Sequence, residues 1–332
     1  MTLEVFNPPT HYNNIDDSYI PDFTLKTSID WLTLSDIHLR YHTPICDLLN
    51  VNGFILSKTN FHVRGKFRRN KEYQDKNICI QLFYDMRFEG NLIPTTVIKI
   101  HDPSKEVLDL FHGYFNKFSI FHKLSQVELS FDFYTRDLQD FNEFLNKHLY
   151  LRHQKQKSFN IKDTFYTTDI RKATKGTRTY PKPFDNPEFV RMELLLKRKI
   201  ISRLGLSLPL SNIDGIDLKK FFIFAYIDSR MLTNYFVKKN KQEIKRANLR
   251  RPWGGRLFEK HIAQWVRGIT HREHDFEFIK QVERLKDKDR GVPNYWRFIV
   301  EHELLTNAFM SKLSKTSFIP ITGKHYVMPD SL

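Results

Sequence analysis

The chain has 332 residues, a mass of 39.9 kDa and a formal net charge of +15. This length supplies enough apolar residues for one large domain or two ordinary ones, which excludes a mini-protein held together by disulfides or a structural metal. The excess of lysine and arginine favours a polyanionic partner, most often nucleic acid.

Cysteine content and apolar runs exclude further classes. Cys46 and Cys79 are the only cysteines and have no metal-like spacing, so neither a disulfide framework nor a cysteine zinc site is expected. No apolar run approaches the ~20 residues that a membrane span requires. The amino terminus lacks the basic and apolar regions of a secretion signal. We therefore expect a cytoplasmic protein that does not associate with a membrane.

Alternation of apolar and polar residues predicts strands after an irregular lead-in over residues 1–27. The clearest alternation is QVELSFDFY at 126–134, where the side chains of Glu128 and Asp132 share the polar face. The charged run 68–76 is predicted to separate two strands rather than to form one. The candidate strands of this part of the chain are 28–35, 53–58, 61–67, 77–85, 95–101 and 126–134.

Amphipathic helices are predicted over 105–118 and 138–149, because apolar residues recur there at spacings of three and four. Strands of antiparallel type with helices between and after them favour an α+β fold. We expect a mainly antiparallel twisted sheet with helices covering its apolar face. Beyond residue 217 the pattern becomes helical, which predicts a first domain over 28–217 and a smaller, mostly helical region over 218–332. The helical segments of that region are 218–234, 238–247, 256–268, 274–286 and 293–313.

Two further strand-like runs lie within residues 175–197. In the first, Gly176, Arg178 and Tyr180 share a face because side chains alternate across a strand. In the second, Arg191 and Glu193 lie opposite an apolar face. A tyrosine flanked by arginines and facing a carboxylate is able to attack a phosphodiester.

Tyr180 is the candidate nucleophile. A phenol with a pKa of ~10 reacts slowly at neutral pH unless nearby cations or a base favour the phenolate. Arg178, Lys175 and Lys182 are near enough in sequence to supply that field and to hold a phosphate group. By number alone, any one of 14 tyrosines is more often structural, and these cationic neighbours favour the functional interpretation.

Acidic residues on the strands are candidate metal ligands. Glu128 and Asp132 are four residues apart, ~13 Å at ~3.3 Å per residue, so they cannot both bind one ion directly. Alternatively, Glu128 and Asp132 are solvated acids on an exposed sheet face. The spacing does not decide between a metal-binding role and this one. Glu193 is either a ligand or the partner of Arg191 in a surface ion pair worth ~0–1 kcal/mol. Carboxylate oxygens from two strands suit Mg²⁺ or Mn²⁺.

Three segments, QVELSFDF, FYTTDIRKATKGTRTYPKP and VRMELLLKR, resemble the motifs of rolling-circle plasmid replication initiators of the Rep_trans class and of related relaxases from integrative conjugative elements. The family pattern is RxDxxxD, then YxGxRxSxxxxRxYxK, then RxExELK, and the resemblance covers roughly residues 28–200. The matching positions are Glu128 and Asp132 in the first motif, Tyr166, Arg171, Arg178, Tyr180 and Lys182 in the second, and Arg191, Glu193 and Lys197 in the third.

The resemblance implies that residues 28–217 form a nicking domain. In the family, the tyrosine attacks one strand of origin DNA, leaving a 5′-phosphotyrosine link and a free 3′-OH for rolling-circle replication or transfer. The implied catalytic residues are Tyr180, Arg178 and Lys182. The implied ligands of Mg or Mn are Glu193, Asp132 and Glu128, and the implied DNA-binding residues are Arg171, Lys175 and Arg191. Implied partners are duplex and single-stranded origin DNA, a host helicase and a second copy of the chain.

Departures from the family pattern keep two alternatives open. Leu195 occupies a position where a second acid is common, and Pro181 follows the tyrosine. One alternative is a catalytically inactive DNA-binding protein of the same fold. The other is a metal-dependent nuclease that uses water, with Tyr180 in a structural role.

A second basic segment, 238–256, is a candidate duplex-binding surface. It includes Lys245, Arg246, Arg250 and Arg251. A run of charge is usually a solvated helix face. Beside a candidate nickase in a chain of this net charge, duplex DNA binding is the favoured interpretation.

Overall fold

The computed structural model describes residues 21–60, 67–76, 78–151, 159–224, 241–250, 253–257, 259–260, 309, 313 and 317–331. The chain forms two compact units, each discontinuous in sequence. The larger unit comprises 23–138, 169–217 and 315–332, and the smaller one comprises 1–22, 139–168 and 218–314. In the described residues, no helix has both the length and the apolar character needed to cross a membrane.

Strands and helices are numbered in chain order. The strands are β1 Thr24–His38, β2 Ile55–Thr59, β3 Phe67–Asp75, β4 Ile78–Phe88, β5 Asn91–Ile93, β6 Thr95–His101, β7 Lys123–Tyr134, β8 Leu149–Leu151, β9 Phe159–Ile161, β10 Thr164–Tyr166, β11 Lys175–Lys182, β12 Phe189–Lys197 and β13 Phe222–Phe224. The helices are α1 His42–Val51, α2 Lys105–Lys117, α3 Leu138–His148, α4 Arg198–Arg203 and α5 Lys241–Arg250, with short 3-10 turns at Leu39–Tyr41 and Leu218–Lys220.

The larger unit is built on one antiparallel sheet. Its strands are hydrogen-bonded in the order β2, β3, β4, β6, β1, β7, β12, β11, and β5 pairs with β4. The α+β prediction, a mainly antiparallel sheet with helices, is therefore confirmed. The three predicted motifs reach β7, β11 and β12, and because β12 pairs with both β7 and β11, the sheet brings these motifs side by side.

One face of this sheet carries the apolar core. Inward side chains such as Leu32, Ile98, Leu129 and Leu194 are fully buried, as alternation along each strand requires. α1 and α2 each bury an apolar side, and α4 packs against β7 and β12. The opposite face of the sheet, here called the polar face, carries the residues that the motifs predicted to be functional.

The smaller unit has its own core. α3 buries Phe141 and Leu145, and the ring of Phe144 lies 6.1 Å from that of Phe309. β8 pairs with β13, and β9 pairs with β10, in each case antiparallel.

Two sequence-based predictions are wrong. Residues 68–76, expected to separate strands, lie almost entirely within β3, which places Lys71 beside Tyr73 on its core side and buries the polar residues Asn70 and Glu72 on its other side. Apolar alternation does not detect a strand of that kind. The helix expected over 218–234 is contradicted at its start, where a 3-10 turn leads into β13. Residues 1–20 of the expected lead-in, residues 61–66 of the strand expected at 61–67, the helix expected at 274–286 and Arg251 lie outside the described residues.

An extended carboxy-terminal segment, residues 317–331, belongs to the larger unit. The backbone N–H of Ile29 donates to the carbonyl of Phe318, and that of Lys105 donates to the carbonyl of Pro320. The ring of Phe318 packs edge-on against Phe131, with ring centroids 5.5 Å apart. This segment therefore ties β1, β7 and α2 together.

Candidate active site on the polar face of the sheet

Cross-strand pairing arranges the polar face in rows. One row contains Ser130 on β7, Glu193 on β12 and Arg178 on β11, which are direct neighbours in register. The next row contains Asp132, Arg191 and Tyr180 on the same strands. Directly opposite residues on antiparallel strands have Cβ atoms ~4.5–5.5 Å apart. The pairing of β11 with β12 thus places Tyr180 diagonally across from Glu193.

Asp30 joins this face because of a β-bulge. In the β1–β7 ladder, Ile29 pairs with Leu129 and Trp31 pairs with Glu128, so Asp30 is an extra residue on β1. Strict alternation along a strand puts neighbours such as Asp30 and Trp31 on different faces, whereas a bulge re-aims the side chains beside it. Sequence reasoning missed Asp30 for this reason, since a bulge has no apolar signature.

Three buried carboxylates meet at the centre of the polar face. Asp30, Glu128 and Glu193 each offer an oxygen within 4.8 Å of the other two. Their side chains are 7%, 8% and 1% exposed. Asp132, although described, does not belong to this group of three carboxylates.

Tyr180 and Arg178 both contact Glu193. The Tyr180 hydroxyl donates to Oε1 of Glu193 at 2.5 Å, and Nε of Arg178 donates to Oε2. Nη2 of Arg178 also lies 3.1 Å from Oε1 of Glu128. One guanidinium group therefore bridges two carboxylates, and the tyrosine hydroxyl is directed at a carboxylate oxygen able to accept its proton.

Arg191 holds the adjacent acids. Its Nε and Nη2 donate to the two oxygens of Asp132 at 2.6 and 2.8 Å, and its Nη1 donates to Asp30 at 3.2 Å. Such two-pronged pairing fixes both planar groups. His101, another residue that the sequence did not single out, lies with Nε2 at 3.4 Å from Asp30 and Nδ1 at 3.2 Å from Asp102.

Burial and charge set the protonation of the site. Burial raises the pKa of Tyr180, and the cations Arg191 and Arg178 offset only part of that rise. The sequence had suggested that cations would favour the phenolate, but the pKa is raised overall. A neighbouring base is therefore required to take the phenolic proton at neutral pH.

The carboxylates respond differently to burial. Burial raises the pKa of Glu128, and the attraction of Arg178 does not cancel the rise. Burial also acts to raise the pKa of Asp30, but the hydrogen bond with His101 and the charge of Arg191 lower it below its usual value. The site thus combines an acid that holds its proton more readily with one that stays ionised.

The carboxylate group fits a divalent cation. Asp30, Glu128, Glu193 and Asp132 carry four negative charges when ionised, whereas Arg178 and Arg191 supply two positive charges. With all four acids ionised, the two negative charges that remain equal the charge of one divalent cation, and carboxylate oxygens are ligands that hard divalent cations prefer.

The other predicted residues of the larger unit lie on β11, at the end of β12 and in the loop before β11. Nζ of Lys182 lies 5.7 Å from the centroid of the Tyr180 ring. Lys197 donates to the carbonyls of Ile170 and Arg171 at 2.7 and 3.0 Å, which anchors the loop before β11. Arg171 is exposed and Lys175 is half-buried.

The remaining predicted residues lie in the smaller unit. Lys245, Arg246 and Arg250 are on α5, which buries Ile244. Lys245 and Arg250 are exposed there. The ring of Tyr166, a rival for the nucleophile, stacks on Phe159 with centroids 5.2 Å apart.

Comparisons with known proteins give little further guidance. No family model matches the sequence, and no curated protein matches it. Among solved structures, the chain is similar to a rolling circle replication initiator protein from Geobacillus stearothermophilus, with 14% identity over 62% of this chain and 88% of that chain, and a TM-score of 0.39. At this identity and TM-score, no property of that initiator is transferred to the present chain.

Proposed function

We propose that this protein nicks one strand of DNA by tyrosine attack, as a replication initiator or relaxase does. The observation that carries the proposal is the hydrogen bond from Tyr180 to Glu193 inside a cluster of carboxylates and guanidinium groups. The contact gives the hydroxyl a proton acceptor as well as the hydrogen bond that a half-buried tyrosine requires. A nucleophile requires that base, because burial raises its own pKa.

In the proposed reaction, the Tyr180 oxygen attacks the scissile phosphorus and its proton passes to Oε1 of Glu193. The bond from phosphorus to the 3′-oxygen of the preceding nucleotide breaks, and that oxygen leaves as a 3′-OH after taking up a proton. The products are a 5′-phosphotyrosine link and a free 3′ end. Because the phosphodiester is exchanged for a phosphotyrosine ester, the step needs no external energy source and is reversible.

The arginines and acids have distinct proposed roles. Arg178 bridges Glu193 and Glu128 and thereby holds the base in position, and its partly exposed guanidinium can also contact the phosphate. Arg191, held by Asp132 and Asp30, orients the acids beneath the tyrosine. Asp30, Glu128 and Glu193 would hold a divalent ion, which supplies charge neutralisation at the phosphate. Lys182 and Lys175 contribute positive charge along the DNA strand.

The decisive variant is Tyr180→Phe. It removes one hydroxyl and keeps the ring, so nicking of supercoiled DNA with Mg²⁺ or Mn²⁺ should stop while DNA affinity stays within about twofold. The covalent protein–DNA adduct should disappear with it, as measured by gel shift and by mass spectrometry of the modified peptide. Tyr134→Phe and Tyr166→Phe remove the hydroxyls of the two rival tyrosines, which lie in or beside the motifs, and both variants should nick normally.

The same assay separates the alternatives. An adduct on Tyr180 at the 5′ end supports the proposal. Nicking with free ends indicates a nuclease that uses water, and the absence of nicking with any metal indicates a DNA-binding protein without activity. An adduct on Tyr166 would show that the nucleophile lies elsewhere.

A further inference from the structure

A cavity of about 580 Å³ opens on the polar face beside the carboxylate cluster. It lies across six strands of the larger unit, from β4 to β11. Its size is within the ~300–1,000 Å³ that small-molecule sites occupy. Arg178 and Glu128 form one wall, so the cavity adjoins the proposed catalytic residues directly.

Two aromatic rings line this cavity. Trp31 on β1 and Phe83 on β4 are separated by Lys99 on β6, whose Nζ lies 5.9 Å from the first ring centroid and 5.5 Å from the second. Leu195 adds an apolar surface on β12. Flat apolar walls with a cation between them suit a planar group attached to a phosphate, because nucleobases stack on aromatic rings while lysine pairs with the backbone.

The hydroxyl of Thr33 is a buried polar group that lines the cavity. Oγ1 of Thr33 makes no hydrogen bond within the described part of the chain, although the residue is only 7% exposed. Buried polar atoms are nearly always satisfied, so this hydroxyl is available to hydrogen-bond a group that enters the cavity. Gln126 lies directly opposite Thr33 in register, and Gln81 is fixed by donating to Glu72 at 2.9 Å. These groups offer hydrogen bonds to the edge of a base.

We propose that this cavity receives one unstacked nucleobase of the single strand flanking the scissile phosphate. The proposal builds on the nicking function, because Arg178 both lines the cavity and holds Glu193, the partner of Tyr180. Stacking on Trp31 anchors the base, and the Thr33 hydroxyl and Gln126 amide contact its edge. Leu195, where related motifs often carry an acid, keeps this surface uncharged for the base.

The test compares two strands that have the same phosphates. The full-length chain is titrated into fluorescein-labelled oligothymidylate and into an abasic strand of equal length, and binding is followed by fluorescence anisotropy. Because a base stacked on an aromatic side chain contributes about 1–3 kcal/mol, the wild type should prefer the base-containing strand by at least roughly fivefold. Trp31→Ala should remove most of this preference without weakening binding of the abasic strand.

Two further variants guard against misfolding. Trp31→Phe keeps an aromatic ring and should retain most of the preference for the base-containing strand. Thr33→Val keeps the shape of the side chain without its hydroxyl and should show a smaller preference than the wild type. The matched control is Phe121→Ala, which removes an exposed ring that also lies beneath a lysine, Lys123, outside the cavity. It should leave the preference unchanged.

The outcomes are distinguishable from those of the nicking test. A preference that survives both Trp31→Ala and Thr33→Val, or no preference in the wild type, overturns the base-binding proposal even when Tyr180 forms an adduct. A preference that depends on Trp31 supports it even when no adduct forms. In that case the nicking proposal fails and the cavity binds single strands for another purpose.

Discussion

At the scale of single residues, Glu193 makes the contacts on which the rest of the site depends. Its two oxygens serve different partners, the hydroxyl of Tyr180 and the guanidinium of Arg178. It is also the most deeply buried acid of the cluster, with a side chain 1% exposed. A buried carboxylate is tolerated only when it is paired and hydrogen-bonded, so replacing it changes the charge balance of the whole cluster.

Glu193→Gln tests this residue. The amide keeps the shape of the side chain but cannot take the tyrosine proton. Because the amide is neutral, the site should also bind a divalent ion with lower affinity. Metal-dependent nicking should fall by about 10²–10⁴-fold, the range of a lost general base, while duplex affinity should remain nearly intact. The measurements are nicking rates over a Mg²⁺ titration and anisotropy with labelled duplex.

Asp109→Asn is the control for Glu193→Gln, because it changes a surface carboxylate of α2 that pairs with Lys105. Its nicking rate and metal dependence should match those of the wild type. If Glu193→Gln cleaves with an unchanged rate and metal dependence, then Glu193 is a structural ion-pair partner and takes no part in the reaction.

At the scale of elements, a strand could be predicted from the sequence when its core-facing residues are apolar. β6 was predicted to the residue and β7 within three, because their inward positions are apolar and fully buried. β3 was missed because polar residues occupy both of its sides: Lys71 accompanies Tyr73 on the core side, and Asn70 and Glu72 are buried on the polar face, where Ser57 and Gln81 satisfy Glu72. These partners come from other strands, so only the tertiary fold shows that the strand is stable.

The same reasoning explains which part of the site the sequence predicted. Arg178, Tyr180 and Glu193 lie on regular strands, so alternation alone places them on one face. Asp30 depends on the β1 bulge, and the pairing of Asp132 with Arg191 depends on a register between strands 59 residues apart in sequence. The alternation of residues along one β-strand indicates neither the bulge nor the register between strands.

Helix α5 is the element whose proposed role is most directly testable. Its basic side chains include Lys245, Arg246 and Arg250. Replacing all three with glutamine should lower duplex affinity and reduce the slope of log K against log salt by up to about 0.9 for each phosphate that the helix no longer neutralises. Anisotropy titrations at several salt concentrations measure both quantities.

The control for α5 is the pair Lys219→Gln and Lys220→Gln, which removes positive charge from an exposed turn outside the basic segment. It should change the slope less for each charge removed. A fall in affinity of the α5 variant with an unchanged slope would mean that the helix acts through folding of the smaller unit rather than by neutralising phosphates.

At the scale of the whole molecule, the larger unit is completed by the carboxy-terminal segment 317–331. Glu106, in the first turn of α2, accepts hydrogen bonds from the backbone of Thr322 and Gly323 at 2.8 and 2.7 Å, and its second oxygen accepts from the Thr322 hydroxyl at 2.8 Å. Residues more than 200 positions apart are thereby joined at a helix amino terminus, where a negative charge is favourable. The segment has no periodicity, so its course was not predictable from sequence.

This junction makes stability depend on pH in a defined window. Partial burial acts to raise the pKa of Glu106, but hydrogen bonds from its own backbone, Ser104, Gly323 and Thr322 lower it to about 2 from an ordinary value of 4.5. Because the folded pKa lies below the unfolded one, the unfolded chain binds more protons between these values. The stabilisation is therefore complete above about pH 4.5 and is lost as the pH falls towards 2.

Glu106→Gln should remove this contribution. The variant should melt at a lower temperature than the wild type near neutral pH, and the gap should narrow steadily between pH 4.5 and the lowest pH at which both chains remain folded. Glu143→Gln, a surface carboxylate of α3 that contacts Gln139, is the control and should follow the wild-type curve. A gap between Glu106→Gln and wild type that stays constant across the window would show that the Glu106 charge does not hold the carboxy-terminal segment, and that its loss acts through the helix alone.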